Sequence, residues 1–493
     1  MAVLEEVAAQ YGRARNYVGG EWVNSPSRET VKVHNPATDE PIAETPMSGA
    51  GEVDQVVEAA RAVYPEWRET PPIERARYMF RLKELMEANY EPIARVVAQE
   101  HGKIIDEARG EVRRAIENVE VAAGIPSLMM GYTLEDGATA GIDEEAIRQP
   151  LGVFAAICPF NFPAMVPFWS WPYAVACGNS FIVKPSERTP MSMVKIFELI
   201  EAVDFPPGVL NMIHGGPETA QALVVHPGVQ GVSFVGSTPA AKAVYALAGA
   251  HGKRAQCQGG AKNVLVVMPD ANLKQAVPNI LSSCFGSAGQ RCLAGAVIAA
   301  VGDTHAAVRD ALVAGASQMK LGYALDESVQ MGPVISRDSQ DRIVGYIDRA
   351  EAAGARVVLD GRHPKVEGYE QGYFVGPTIL DDVTPEMEIA QEEVFGPVVC
   401  LLKLKDLEEA IDLINDSPFG NAASIYTASG GAAREFRYRV QAGNIGVNIG
   451  IAAPMAYFPF CGQKASFFGS LHGQARDCLD FFTDRKVVIS RWL

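Results

Sequence analysis

The stretch Val232-Ser-Phe-Val-Gly-Ser-Thr-Pro-Ala-Ala-Lys242 reads as a buried strand, a tight turn at Gly236 and a helix with Pro239 in its first turn. A helix N-terminus presents free N–H groups and a partial positive charge, a geometry that binds phosphate. An ordinary strand-to-helix turn shares this pattern, and the stretch contains neither Gly-x-Gly-x-x-Gly nor a Walker-type lysine. What it does decide is architecture, because a continuous apolar strand followed by a helix is the unit of a parallel α/β sheet.

The unit recurs on both sides of this stretch. Val153–Ile157, Ser180–Val183 and Val209–Ile213 are short apolar runs separated by helical stretches. A second series follows at Val264–Val267, Ala296–Ala300, Val398–Leu402 and Ala423–Tyr426. The expected fold is α/β, with two Rossmann-like doubly wound domains and a small β oligomerisation element. Residues 1–127 and 150–259 form the first domain and 260–446 the second. Within the first, residues 17–45 read as short strands. Three helices are expected between 52 and 124: Val53 to Tyr64, Pro72 to Asn89, and about Glu107 to Ala123. Residues 128–149 carry a polar hairpin, and 471–493 end in the strand pattern Lys486-Val-Val-Ile-Ser490. Hairpin and tail are expected to join subunits.

Composition narrows the function classes. The 493 residues carry 43 Lys and Arg against 59 Asp and Glu, a net charge of −16. A phosphate backbone demands a basic face, so nucleic acid and anionic membrane are poor partners. Apolar residues at 48% and charged residues at 21% suit a globular chain with a sizeable core. None of the eight cysteines is spaced Cys-x-x-Cys, so no metal site or redox pair is expected and a reducing, cytoplasmic setting fits. The N-terminus lacks an apolar signal-peptide core, and no apolar run reaches the roughly 18 residues of a membrane span.

Three further motifs carry chemistry. Phe181-Ile-Val-Lys-Pro-Ser-Glu-Arg188 ends a buried strand, where open α/β sheets bind ligands, and Lys184 and Glu187 suit ribose hydroxyls. In Ser287-Ala-Gly-Gln-Arg-Cys-Leu-Ala-Gly295, glycines flank a cysteine beside Arg291. A cation and free amides can hold a thiolate at neutral pH, which makes Cys292 a candidate nucleophile, although a buried structural cysteine shares the pattern. Cys284, in an apolar helical context, reads as a structural thiol. In Cys158-Pro-Phe-Asn-Phe-Pro163 two prolines fix a non-helical path that aims the Asn161 amide at an oxyanion.

In this order the pieces resemble the aldehyde dehydrogenase superfamily across nearly the whole chain. Tyr17-Val-Gly-Gly-Glu-Trp-Val23, Gly372-Tyr-Phe-Val-Gly-Pro-Thr378 and Glu392-Glu-Val-Phe-Gly-Pro-Val398 add to the match. Within it, Gly260-Ala-Lys-Asn263, Ala288-Gly-Gln-Arg-Cys292, Met455-Ala-Tyr-Phe-Pro-Phe460 and Phe482-Thr-Asp-Arg-Lys-Val-Val488 are most similar to the CoA-acylating methylmalonate-semialdehyde dehydrogenases. The resemblance implies that Cys292 attacks the aldehyde and becomes a thioester. Asn161 and the Cys292 backbone N–H would hold the oxyanion. It makes the first domain NAD-binding and the second catalytic. NAD contacts carry over to Cys158, Phe160, Lys184, Glu187, Arg188, Ser237, Gly259 and Glu393, with the Glu187 carboxylate disfavouring a 2′-phosphate. Arg114 and Arg291 carry over as the substrate-carboxylate contacts, since a guanidinium fork matches a carboxylate. The resemblance further implies a homotetramer, a dimer of dimers.

One departure bears on the second half-reaction. Hydrolytic members carry a glutamate just before the Gly-Gly at 259–260, and here that residue is Gln258. An amide cannot take a proton from water. From Thr219 to Pro269 there is no Asp or Glu at all. A thiol ionises far more easily than water, so coenzyme A is the expected acyl acceptor. The expected reaction is therefore NAD-dependent oxidation of malonate or methylmalonate semialdehyde, with decarboxylation, to acetyl-CoA or propionyl-CoA. Acylation of a simple aldehyde and hydrolysis to a free acid, using a carboxylate from elsewhere in the chain, are the rival readings. Ala115 and Ala241 stand where the branch has glycines.

Overall fold

A computed structural model describes residues 7–492. Residues 1–6 and Leu493, the outer ends of the first and last expected segments, lie outside the described residues. Two large sheets organise the chain. The first has the strand order Phe467–Phe468, Arg254–Gln258, Val229–Val235, Val153–Ile157, Ser180–Lys184, Leu210–Met212, Asn16–Val18, Glu21–Val23. Its central five strands are parallel, and its two edges are closed by antiparallel pairs. The apolar runs read from sequence are these strands, and Val153–Ile157 and Ser180–Lys184 are buried at every residue, as strands covered on both faces must be.

Strand order reverses between Val153–Ile157 and Val229–Val235. From the first the chain moves outward through Ser180–Lys184 to Leu210–Met212, then returns to lay Val229–Val235 on the other side. Such a switch point opens a crevice at the carboxyl ends of the strands, where ligands of open α/β sheets bind. The second sheet runs Arg356–Leu359, Thr378–Asp381, Val398–Leu404, Gly295–Val301, Asn263–Val267, Ala422–Tyr426, Asn444–Val447 and is parallel except at its first strand. Each sheet packs its own apolar core.

The helical region before the first parallel strand holds more than the three expected helices. It contains α1 (Ala50–Glu69), α2 (Pro72–Ala88), α3 (Tyr90–His101) and α4 (Ile105–Ala123), with a further turn at Ile125–Leu128. Helix α1 continues through Pro65, which removes the bond that an N–H there would make to the Arg61 carbonyl. Helix α3 follows α2 across Asn89 and was not expected. Gly102 ends it in the left-handed region, φ 91°, against the ring of Pro333, where a Cβ would crowd.

The hairpin and tail pair with each other. Thr483–Arg491 lies antiparallel to Ile142–Pro150, with Thr483 opposite Pro150 and Arg491 opposite Ile142, and Tyr132–Leu134 adds the third strand. A helix, Ala475–Phe482, precedes the final strand and was not expected from sequence. No helix among the described residues is long and apolar enough to cross a membrane.

Candidate active site

Cys292 follows a turn with unusual backbone. Ser287 (φ 49°, ψ 33°), Ala288 (φ 52°, ψ 38°) and Gly289 (φ 71°) are consecutive left-handed residues. Two of them carry a Cβ, so the conformation is strained and must be imposed by its surroundings. Glu107 of α4 helps impose it by accepting the Ser287 N–H at 2.8 Å. Beyond the turn, the Cys292 carbonyl accepts from the side chains of Asn263 (2.8 Å) and Asn421 (2.7 Å). Those two residues stand at the start of one strand of the second sheet and just before another, so rigid elements fix the cysteine.

The thiol itself is not a preformed thiolate. Burial pushes its pKa up to about 12, the Glu393 carboxylate adds to the rise, and the N–H groups of Cys292 and Leu293 with the Arg291 charge oppose it only in part. This corrects the expectation that a neighbouring cation holds the thiolate at neutral pH. Burial is the main reason, and the Arg291 guanidinium is engaged besides. Its Nη2 donates to Glu107 at 2.6 Å and its Nε to Ser287 Oγ at 3.2 Å.

Asn161 is buried at 5% exposure, and its Nδ2 donates to the Gln290 carbonyl at 3.0 Å. A carboxamide has two N–H donors. One is fixed on the turn that carries Cys292, and the other is left to serve a reacting oxygen. Gln258 is turned away from this centre. Its Nε2 donates to the Phe460 carbonyl at 2.9 Å, and it lines neither of the two cavities that reach Cys292.

Those cavities meet at the cysteine. The larger, about 690 Å³, runs from Cys292 along the switch-point crevice. Cys158, Phe160, Lys184, Glu187 and Arg188 line it at the strand ends. Ser237, Gly259 and Glu393 line it too, so all the cofactor positions inferred from sequence converge there. Ser237 precedes the helix Thr238–Ala250 without capping it, leaving its hydroxyl available. Farther along, Ala220 and Val224 face Ala243 and Leu247 across an apolar slot of the kind that takes a flat aromatic ring. Lys184 is less available than expected. Its Nζ donates to the Gly215 and Pro185 carbonyls and lies 3.7 Å from Glu187. The smaller cavity, about 320 Å³, lies on the other side of Cys292, with Phe162, Trp169, Phe460, Arg114 and Arg291 in its wall.

A family model for the aldehyde dehydrogenase family matches residues 22–488. The chain belongs to the aldehyde dehydrogenase family. Among its aldehyde dehydrogenase relatives, a malonate-semialdehyde dehydrogenase of Geobacillus kaustophilus is 48% identical over 478 residues, 97% of this chain and 98% of the relative. One from Halalkalibacterium halodurans is 45% identical over 480 residues, again 97% and 98%. The structure of methylmalonate-semialdehyde dehydrogenase from Oceanimonas doudoroffii superposes with a TM-score of 0.96 at 44% identity, covering 98% of this chain and 99% of that one. A Sinorhizobium meliloti structure assigned to the same class and complexed with NAD gives 0.96 at 41% identity, covering 98% of each chain.

Two features of this aldehyde dehydrogenase were not legible in its sequence. Glu107 compensates the charge of Arg291, and Glu393 is a half-buried carboxylate in the cavity wall, raised from 4.5 to about 7 chiefly by desolvation. One Glu393 oxygen accepts the Ala261 N–H at 3.0 Å. A carboxyl group with a raised folded pKa contributes stability below its ordinary value and loses it as pH rises through the folded value. Glu393→Gln is therefore expected to stabilise the protein at pH 8, with the gain fading as pH falls to about 5. Thermal melts of both proteins at the two pH values check this.

Proposed function

We propose that the protein oxidises malonate or methylmalonate semialdehyde with NAD and passes the acyl group from Cys292 to coenzyme A, releasing CO2 and forming acetyl-CoA or propionyl-CoA. The observation that carries this reading is Cys292 at the junction of two cavities, with arginines in one, a carboxylate-lined crevice in the other, and a glutamine at position 258. The relatives' names point to the same substrate class. The larger cavity fits NAD by its own features: an apolar slot, the unspent Ser237 hydroxyl at a helix N-terminus, and Glu187 and Glu393 for ribose hydroxyls. When bound there, NAD supplies the hydride acceptor.

The chain's own residues do the rest. Cys292 loses its proton and its sulfur adds to the aldehyde carbon. The free Asn161 N–H and the Cys292 backbone N–H receive the negative oxygen. Collapse of that adduct, with loss of hydride, leaves a thioester on sulfur. The thiolate of coenzyme A then displaces Cys292. The substrate carboxylate lies β to a carbonyl, which accepts the electron pair when CO2 departs. Glutamine at 258 offers no base for water, whereas a thiol needs little help to ionise.

Arg114 is the cation proposed for the substrate carboxylate. It is partly exposed in the smaller cavity and uses Nη1 on Glu117 at 3.0 Å. Arg114→Ala is expected to raise KM for the semialdehyde about 10- to 100-fold, the worth of a charged hydrogen bond, and to leave KM for propanal unchanged. Steady-state kinetics on both aldehydes decide it. Arg291, paired with Glu107, is assigned a smaller share.

A second reading, hydrolysis to a free acid, draws on one observation. Glu393 lines the cavity that reaches Cys292, and its raised pKa suits a general base. NADH formation from methylmalonate semialdehyde, with and without coenzyme A and with the product identified, separates the two. Sustained turnover only with coenzyme A, giving propionyl-CoA, supports acyl transfer. Turnover without it, giving a free acid, assigns water activation to Glu393.

The three-stranded sheet of hairpin and tail is proposed as a contact between copies of the chain in a homotetramer. Tyr132, Leu134, Val487, Ile489 and Trp492, all more than half exposed, support that reading. Eight free thiols support a reducing, cytoplasmic setting.

A further inference from the structure

Helix α4 touches both loops of the catalytic centre, one turn apart. Glu111 and Lys103 form an ion pair at 2.6 Å with both side chains fully buried. Lys103 Nζ also donates to the Asn161 carbonyl at 2.6 Å. The other oxygen of Glu111 accepts the N–H groups of Ala164 (2.8 Å) and Met165 (3.1 Å). Three backbone groups of an irregular loop thus end on one ion pair. Four residues earlier, on the same helix face, Glu107 takes Ser287 N and Arg291 Nη2.

We infer that Glu107 and Glu111 are positioning residues that hold the two donors of the oxyanion site in register. Glu111, through Lys103, fixes the loop of Asn161. Glu107 fixes the left-handed turn that leads to Cys292. Among the described residues the hydrogen bond that joins the loops directly is the one from Asn161 Nδ2 to the Gln290 carbonyl, residues 129 apart in sequence, beside the packing of Phe162 and Met165 against Cys292 and Leu293. One hydrogen bond leaves rotation about itself open, and anchoring both loops to one rigid helix removes it. A carboxylate is needed at 111 because each oxygen accepts from N–H donors, and an amide would turn an N–H against one of them. At 107 one oxygen takes both the Ser287 N–H and Arg291 Nη2, the other meets Ser287 Oγ, and an amide would remove the charge opposite Arg291.

The inference rests on the reading of Cys292 and Asn161 as the reacting pair, and its test is a double-mutant cycle on the full-length enzyme with NAD. The rate of the first-turnover NADH burst is read for Glu111→Gln, Asn161→Ala and the double variant. Glu111→Gln is expected to slow the burst about 10- to 100-fold, less than outright loss of the donor. It should leave NAD affinity and the alkylation of Cys292 by iodoacetamide within about twofold, and should add nothing in the Asn161→Ala background. Glu107→Gln should instead change the alkylation rate as well. Multiplying effects of Glu111→Gln and Asn161→Ala, or an unchanged burst, would overturn the inference. The paired replacement Lys103→Met with Glu111→Leu leaves no buried charge alone and carries the same expectation should Glu111→Gln not fold. A wild-type enzyme that oxidises propanal but neither semialdehyde overturns the substrate reading alone, and the cycle is then read with propanal.

Discussion

Replacing Cys292 by alanine is expected to stop NADH formation, with a fall in kcat of at least about 10⁴-fold, as when other covalent enzymes lose their nucleophile. The size follows from position. Cys292 is the residue at which the two large cavities meet, and no other cysteine lines the smaller one. Of those two cavities Cys158 reaches only the larger, on the cofactor side. Cys284 is packed beneath the second sheet. Cys284→Ala should therefore keep full activity and cost about 1 kcal/mol of stability for the small void it leaves. Burst measurements on the two variants, with mass mapping of the iodoacetamide-labelled peptide, test both halves. Activity that survives in Cys292→Ala would remove the thioester from the mechanism.

Asn161→Ala is expected to lower kcat about 10²- to 10³-fold while KM changes little, because the lost donor serves the oxygen only after the thiol has added. The loop should stay in place, since Lys103 grips the backbone carbonyl of residue 161 and not its side chain. That separates this variant from a folding defect. NAD affinity should hold, and so should the rate of Cys292 alkylation. A rise in KM with unchanged kcat would mean that the amide binds ground-state aldehyde and does not favour the adduct.

Much of this arrangement was legible because parallel strands buried on both faces announce themselves as apolar runs. Val153–Ile157 needed no correction, and Ser180–Val183 grew by one residue. Lys184, Glu187 and Ser237 in the large cavity were legible for a related reason, since they sit at or just past the carboxyl ends of such strands, whereas Glu393 was reached only through the family resemblance. The rest depends on contacts without local signal. Glu107 and Arg291 are 184 residues apart, and nothing near either names the other. Burial of the Cys292 thiol, the main cause of its raised pKa, likewise depends on packing that no local motif shows. Helix α3 was not expected, although the end of α2 at Asn89 was read from sequence within one residue.

Helix α4 also bears on how such chains can be recombined. A crossover anywhere between residues 124 and 286 delivers the helix from one parent and the nucleophile turn from the other. The seam then passes through the bonds from Glu107 to Ser287 and Arg291. A parent lacking a carboxylate at 107 would hand its partner a turn of left-handed residues with one anchor missing. The two sheets would fold, each around its own core, and the chimera would look sound by every measure of secondary structure. Its defect would be confined to the few tenths of an ångström that separate a bound aldehyde from a reacting one. Helix and turn are in that sense one inheritable part, although the chain writes them far apart.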